Sequence, residues 1–298
     1  MGRETLLTLL VVLFGGLAMQ PLALLRWPNP VAASPDVAER RAWLQLWLPI
    51  VPVLLVGAWM GGWALREPDP VRARFDHGMV IGASIPFAVL ALRAAARAVW
   101  VLVREPVELP VCTTGWLRPR VFFSPHLARM LDEAQIDAAL AHERAHARHR
   151  DPLRIWLAQL ATDLQWPWPW AHRRFEAWLE LLEHARDDEA RRDGASGTDL
   201  ASVVVATARQ ARLLSRPRPV GGWLRSEAAL LGDSRSLAFR VERLLAPLPE
   251  EGHPANASVL GAPSALALLG LAACAAFALG ALFGNDLLHP FFLWTWNV

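Results

Sequence analysis

The 298-residue sequence contains no tyrosine, no lysine and only two cysteines. Cys112 and Cys274 fall in a predicted strand and a predicted apolar helix, so they indicate no disulfide framework, and neither has the spacing of a zinc ligand. Because lysine is missing, arginine carries all of the basic side-chain charge, yet the net charge is only +2. A charge this small gives no reason to expect that the protein binds nucleic acid directly.

Apolar residues, by contrast, make up 54% of the chain and are concentrated in four runs. The runs cover residues 6–25, 43–65, 78–103 and 259–283. About 20 apolar residues span the hydrocarbon core of a bilayer, so the first, second and fourth runs qualify as transmembrane helices. The third run contains Arg93 and Arg97, which must snorkel or face protein. A buried core helix is the alternative for each run, but four runs in one chain favour a multi-span membrane protein.

The distribution of arginine predicts how the chain is oriented. The segment between the third and fourth runs is rich in arginine, and no arginine follows Phe283. The positive-inside rule therefore favours a cytoplasmic location for this segment and an external location for both termini. We expect three spans in residues 1–103, a cytoplasmic domain in residues 104–258, a fourth span in residues 259–283 and a short tail in residues 284–298.

A His-Glu-x-x-His pattern lies in the predicted cytoplasmic domain, where His142, Glu143 and His146 stand within a segment of helical composition from 132 to 150. Asp132 and Gln135 have the spacing of a helix-starting capping box. Residues four apart share one helix face, so the two imidazoles could occupy two corners of a tetrahedral zinc site. Glu143 would then stand beside the metal as a base. The alternative is a solvated helix face that carries two histidines by chance.

A catalytic zinc ion needs a third protein ligand and an open position for water. Cys112 is a remote candidate, and a helix predicted over residues 172–193 is dense in acids. From the residues alone, Glu180, Glu183 and His184 cannot be distinguished. Glu183 and Asp187 are four apart, so one could bind zinc while the other orients a histidine ligand.

Further elements are predicted around the motif. Strands are expected over residues 107–112 and 120–123, and helices over residues 153–164, 199–214 and 236–245. Ser124 and Pro125 are typical of a helix start. The Trp-Pro-Trp-Pro-Trp stretch at residues 166–170 is typical of a membrane–water interface or of a tryptophan core cluster, and both interpretations stay open.

Three stretches together resemble the BlaR/MecR-type membrane metallopeptidases. They are Gly115-Trp-Leu-Arg-Pro-Arg-Val-Phe-Phe-Ser124, the sequence from Ala141 to Asp151, and Glu183-His-Ala-Arg-Asp187. The resemblance is close over residues 115–190. This chain has Arg186 where the family usually has cysteine, and His149 where the family usually has arginine. HtpX-type and CAAX-processing membrane peptidases share part of the pattern, but the Arg118-Pro119 element favours the first family.

The resemblance implies a zincin-like metallopeptidase domain with Zn²⁺ bound by His142, His146 and Glu183, and with Glu143 as the catalytic base. It also implies an inner-membrane protein of a bacterium that contacts lipid and cleaves a cytoplasmic protein, such as a transcriptional repressor, or itself. Only about fifteen residues follow Phe283, so we expect no penicillin-binding sensor in this chain. The rival functions are a non-proteolytic zinc-binding signal transducer and an HtpX-type quality-control protease.

The lack of tyrosine leaves the oxyanion-stabilising group open. Many metallopeptidases use a tyrosine or a histidine for this task, so His149, His172, His184 or an arginine would have to serve here. The strand at residues 120–123 could receive the substrate as an added strand.

Overall fold

The computed structural model describes residues 34–64, 85, 89–90, 92–101, 110–166, 168–214, 234–248 and 267–283. This part of the chain is mainly helical, with one small antiparallel sheet, as the sequence predicts. The elements in chain order are α1 (Pro35–Trp47), α2 (Val51–Ala64), α3 (92–101), β1 (Val111–Thr114), β2 (Arg120–Phe123), α4 (Pro125–Ala128), α5 (Glu133–His149), α6 (Asp151–Leu164), α7 (Pro169–Arg192), α8 (Gly197–Leu214), α9 (Ser234–Leu245) and α10 (Ala267–Phe283). The apolar run at residues 6–25 and the predicted domain boundaries at 103/104 and 258/259 lie outside the described residues.

The second apolar run forms two helices instead of one continuous span. Pro49 lies between α1 and α2, and proline lacks the amide hydrogen that would continue the helical hydrogen-bond pattern, while its ring clashes with the preceding turn of a helix. Within the described ranges, no single helix is long and apolar enough to cross a membrane. The pair Pro35–Trp47 and Val51–Trp63 passes that test together but is bent by 42°, and α10 is a shorter apolar helix.

The larger hydrophobic core joins α1, α6 and α7. Trp43 and Leu46 of α1 are buried against Trp178, Leu179 and Leu182 of α7. Full burial of a side chain of this kind contributes about 1.5–3 kcal/mol. The first part of the second apolar run therefore packs on the helix that carries the candidate third ligand.

A second, smaller cluster joins α5 to α7, α8 and α9. Its buried members are small or aliphatic, namely Ala138, Ala190, Leu200, Ala201 and Leu244. The alanines let the helix axes approach closely. As a result, α5 lies against α7 and α8, and the polar faces of α5 and α7 meet.

Both ends of α5 have specific backbone geometry. At its start, Asp132 accepts a hydrogen bond from the Gln135 amide and the Gln135 side chain accepts one from the Asp132 amide, so the predicted capping box is present. At its end, Arg150 adopts the left-handed conformation, with φ of 53°. This turn places Asp151 at the first position of α6, beside the last turns of α5.

The sheet is a hairpin in which Val111 pairs with Phe123 and Thr114 pairs with Arg120. The first strand extends two residues beyond its predicted end. The connection begins at Gly115, which has φ of 91°, and a Cβ atom there would lie 2.7 Å from the Arg118 carbonyl oxygen. Glycine at this position therefore lets the chain turn tightly and bring β1 alongside α5.

The arginines of the third apolar run face protein, one of the two alternatives that the sequence left. Arg97 Nε lies 3.0 Å from Asp163 of α6, and Arg93 lies 3.8 Å from the same carboxylate. Arg93 also lies over the Trp166 ring, 5.2 Å from its centroid. These contacts attach α3 to the end of α6 that is distant from Asp151.

Candidate metal centre

Two histidines on one face of α5 form the centre of the site. His142 and His146 are both buried, and their Nε2 atoms lie 3.0 Å apart. The four-residue spacing on a helix produces this arrangement, as the sequence predicts. Their Nε2 atoms therefore converge on the same point.

The third group comes from α7. The Glu183 carboxylate oxygens lie 3.5 Å from the Nε2 atoms of both His142 and His146. The three residues offer ligand atoms that all lie within 4.8 Å of one another, and the described residues contain no second such group. Glu180, His184 and Cys112 line the adjacent cleft but do not belong to this group. The structure thus brings together the ligand set that the resemblance implies.

Each histidine is oriented by an aspartate on its other ring nitrogen. Asp187 Oδ1 lies 2.9 Å from His142 Nδ1, and Asp151 Oδ2 lies 2.9 Å from His146 Nδ1. Carboxylates in this position fix the ring and its tautomer, so that Nε2 keeps its lone pair for a metal.

Arginines in turn hold both aspartates. Arg240 donates from Nε and NH2 to the two oxygens of Asp187, at 2.7 and 2.8 Å, and its NH1 lies 2.8 Å from Glu183. Arg186 donates from Nε and NH2 to the two oxygens of Asp151, at 2.5 and 3.1 Å. Two-pronged arginine–carboxylate pairs are directional as well as strong. The two histidines are therefore supported by two similar aspartate–arginine pairs.

The buried charges fit a divalent cation. Five carboxylates lie in the site or next to it, and three guanidinium groups contact four of them. The acids are Glu39, Glu143, Asp151, Glu183 and Asp187, and the bases are Arg154, Arg186 and Arg240. The acids exceed the bases by two charges. Buried negative charge without compensation is costly, so this surplus favours a cation between the three ligands. Two imidazoles and one carboxylate are also a donor set typical of catalytic zinc.

The pKa values reflect the same excess of negative charge. Burial by itself lowers the pKa of His142, but the contacts with Asp187 and Glu183 outweigh burial and raise it to about 10. Burial raises the pKa of Glu183, but Arg240 and the two histidines lower it to about 2. For Asp187, the Arg240 charge and His142 outweigh burial and hold its pKa well below the usual range. These shifts all favour positive charge at the ligand group.

Glu143 follows His142 on α5 and is buried. The Thr113 hydroxyl of β1 lies 2.7 Å from Glu143 Oε2 and 2.9 Å from the Glu143 carbonyl oxygen, and it can donate to either. Sequence reasoning missed this contact, because nothing in the spacing of residues 30 positions apart indicates that a strand hydroxyl meets the helix.

The site opens into a cleft of about 240 Å³. Its lining includes the Val111–Thr113 part of β1 and, on α8, the apolar side chains of Leu200, Val203 and Val204. Glu143 and Arg240 also line it. The cleft therefore gives an extended chain access to the ligand group and to Glu143.

The family model described as BlaR1 peptidase M56 matches residues 89–190, which contain the His-Glu-x-x-His helix and Glu183. This region of the chain is therefore similar to the BlaR1-type peptidase family, which supports the resemblance seen in the sequence. The match covers about a third of the chain, from α3 to near the end of α7. No curated protein and no solved structure gave a significant match.

The structure separates the groups that the sequence offers for stabilising an oxyanion into those that line the cleft and those that do not. His149 is paired with Glu189 at 2.9 Å on the surface, and neither His149 nor His172 is among the cleft-lining residues. His184 and Arg240 do line the cleft. Arg240 lies outside the residues that match the family model, and its contact with Glu183 depends on the packing of α9 against α7.

Proposed function

We propose that this BlaR1-type peptidase is a zinc-dependent endopeptidase with His142, His146 and Glu183 as metal ligands and Glu143 as catalytic base. The main support is the convergence of three ligand groups beside a buried carboxylate, at the base of an open cleft. A structural metal site needs no base and keeps no open position. The arrangement is therefore suited to hydrolysis rather than to metal storage.

Each of the residues around the cleft has a separate role in peptide hydrolysis. A bound zinc ion would polarise the scissile carbonyl and lower the pKa of a water molecule to about 7. Glu143 accepts the proton from the attacking water and delivers it to the leaving amine. Thr113 keeps one oxygen of Glu143 in place between these two transfers. Arg240 and His184 supply the polar groups of the cleft for the oxyanion.

The substrate is proposed to lie along β1. The sequence suggested the strand at residues 120–123 as the receiving strand, but Val111, Cys112 and Thr113 line the cleft whereas the residues of β2 do not. A peptide added beside β1 would place a scissile bond next to Thr113 and Glu143. Main-chain hydrogen bonds would then hold it with little dependence on its sequence.

The peptidase is proposed to work in the bacterial inner membrane, with its site on the cytoplasmic side. Large apolar side chains on α3 and α10 are exposed, among them Trp100, Leu271 and Leu282. Trp166 and Trp170 are also about 45% and 44% exposed, which favours the interface interpretation over a core cluster. The substrate would be a cytoplasmic regulatory protein, such as a transcriptional repressor, or the chain itself.

Glu143→Gln is the variant that tests hydrolysis. The amide is nearly isosteric but cannot take a proton, so the rate should fall about a hundredfold to ten-thousandfold while zinc stays bound. Glu183→Gln should instead lower zinc content, and His146→Ala should abolish it. The assay is cleavage of a candidate substrate, or of the chain itself, in membranes with and without a chelator. Full output from Glu143→Gln would show that the protein transmits a signal without proteolysis.

Cysteine labelling in intact cells tests the orientation. The native Cys112 and Cys274 are first replaced by alanine, and single cysteines are then introduced at Ser196 and Asn297. An impermeant thiol reagent should label position 297 and not position 196. Labelling of position 196 alone would invert the proposed topology.

A further inference from the structure

We infer that Arg186 is a positioning residue for the metal site, acting on His146 through Asp151. The inference rests on the proposed function, because it assigns a residue that supports the proposed ligand set. Arg186 lies on α7, three residues after Glu183, and is only 2% exposed. This position is also one at which the chain departs from the family pattern.

Arg186 fixes the carboxylate that orients His146. Asp151 is fully buried, and its Oδ2 atom contacts His146 Nδ1 at 2.9 Å. A carboxylate can rotate and present either oxygen. Arg186 contacts both oxygens with its Nε and NH2 groups, so it fixes the plane of the carboxylate as well as its position.

Arg186 also compensates the charge of Asp151. An isolated buried carboxylate is strongly unfavourable, and removing one partner of a buried ion pair leaves such a charge behind. Arg186 supplies the positive charge at the deepest point of the pair, where solvent does not reach. Arg154 contacts Asp151 through one nitrogen only, at 3.0 Å, and its NH2 group is also bound to Glu39 at 2.5 Å. Arg154 is therefore a poorer substitute for the two-pronged contact.

Arg186 also links the two helices that carry the metal ligands. His146 belongs to α5, and Arg186 and Glu183 belong to α7. The path from His146 through Asp151 to Arg186 therefore links one metal ligand to the helix that supplies another. A shift of α7 relative to α5 would move Glu183 and the Asp151 contact together.

Zinc affinity of the full-length protein in detergent is the primary measurement. Metal is removed with a chelator, and the Kd is then measured by competition with a chromophoric zinc chelator for wild type, Arg186→Met and Arg186→Lys. We expect about a tenfold to hundredfold weaker Kd for Arg186→Met, as for other residues that support metal ligands. Lysine keeps the charge but cannot form the two-pronged contact, so a smaller loss is expected. An unchanged Kd in both variants would overturn the inference.

A double-mutant comparison separates positioning from general stability. If Arg186 acts through Asp151, then Arg186→Met should cause little further loss of zinc affinity in an Asp151→Asn background. An equal loss in both backgrounds would overturn the inference. Should Arg186→Met fail to fold, the same comparison with Arg186→Lys decides. The visible spectrum of the Co²⁺-substituted protein should also change in Arg186→Met, because the orientation of His146 changes.

Arg243→Met is the matched control. Arg243 forms a close ion pair with Asp188 on α7 and donates to the His184 carbonyl, and among the described residues it has no contact with Asp151 or Asp187. It should lower thermal stability without weakening zinc binding, and an equal loss of affinity in this variant would overturn the inference. His146→Ala tests the proposed function separately. If that variant keeps its zinc, the ligand assignment itself is wrong; if it loses zinc while Arg186→Met does not, only the role of Arg186 is wrong.

Discussion

Zinc binding to the metal-free protein should release a proton from His142 at neutral pH. A ligand imidazole must be neutral, whereas the pKa of His142 is raised to about 10 in the absence of a cation. Glu183 is already ionised throughout this range, because its pKa is lowered to about 2. Competition between the proton and the metal at His142 should therefore make zinc affinity depend on pH well above neutrality.

The size of the effect follows from the pKa. The pKa of His142 is about 10, and pH 7 lies three units below it, so removal of the proton from this ring at pH 7 costs about 4 kcal/mol. Affinity should rise about tenfold for each pH unit between 7 and 9 and level off near pH 10. The metal-free fold should show the opposite trend. Because the folded pKa lies above the ordinary value of 6.5, the protonated ring stabilises the fold below that pH, and this contribution is lost as pH rises through 10.

Calorimetry in buffers of different ionisation enthalpy measures the released proton directly. Titrations at pH 7, 8 and 9 should give close to one proton per zinc from His142. The control is Asp187→Asn, which removes a strong cause of the raised pKa while leaving the three ligands in place. This variant should bind zinc more weakly but with less pH dependence. A wild-type affinity that is constant between pH 7 and 9 would refute the reasoning.

Three further predictions concern single contacts. Thr113→Val removes the hydroxyl beside Glu143, and a hydrogen bond to a charged group contributes about 1.5–3 kcal/mol. We therefore expect kcat to fall at least about tenfold with zinc content unchanged. Equal effects of Thr113→Val and Thr114→Val would contradict the assigned role. Arg150→Gly should raise the free energy of unfolding by about 1 kcal/mol in denaturant titrations, because the left-handed conformation is unfavourable for arginine and permitted for glycine. A loss of stability would show that the left-handed conformation of Arg150 is not strained. Gly62→Val should destabilise the protein by about 1–3 kcal/mol, because a Cβ atom at Gly62 would lie 1.9 Å from the Phe277 carbonyl oxygen. The control is Gly57→Ala, whose Cβ atom meets nothing within 4 Å, so this variant should be neutral or stabilising.

The sequence was sufficient where the physics is local. Helical spacing alone places His142 and His146 on one face of α5, and the capping residues Asp132 and Gln135 locate the start of that helix. The family resemblance of residues 115–190 was confirmed by the family match. The tertiary structure decided what depends on packing between distant segments. The second apolar run was predicted as one span, and only the structure shows that it is broken near Pro49 and that α1 packs on α7.

The third metal ligand likewise depends on packing between distant segments. Glu180, Glu183 and His184 all lie on α7, and their sequence offers no way to rank them without the resemblance. The packing of α5 on α7 brings Glu183 within 3.5 Å of both histidines and leaves the other two along the cleft. Thr113, Arg186 and Arg240 could not be assigned from sequence, because each acts through a partner 30 or more residues away. Local sequence therefore determined which side chains could bind a metal, and tertiary packing decided how they are held and charged.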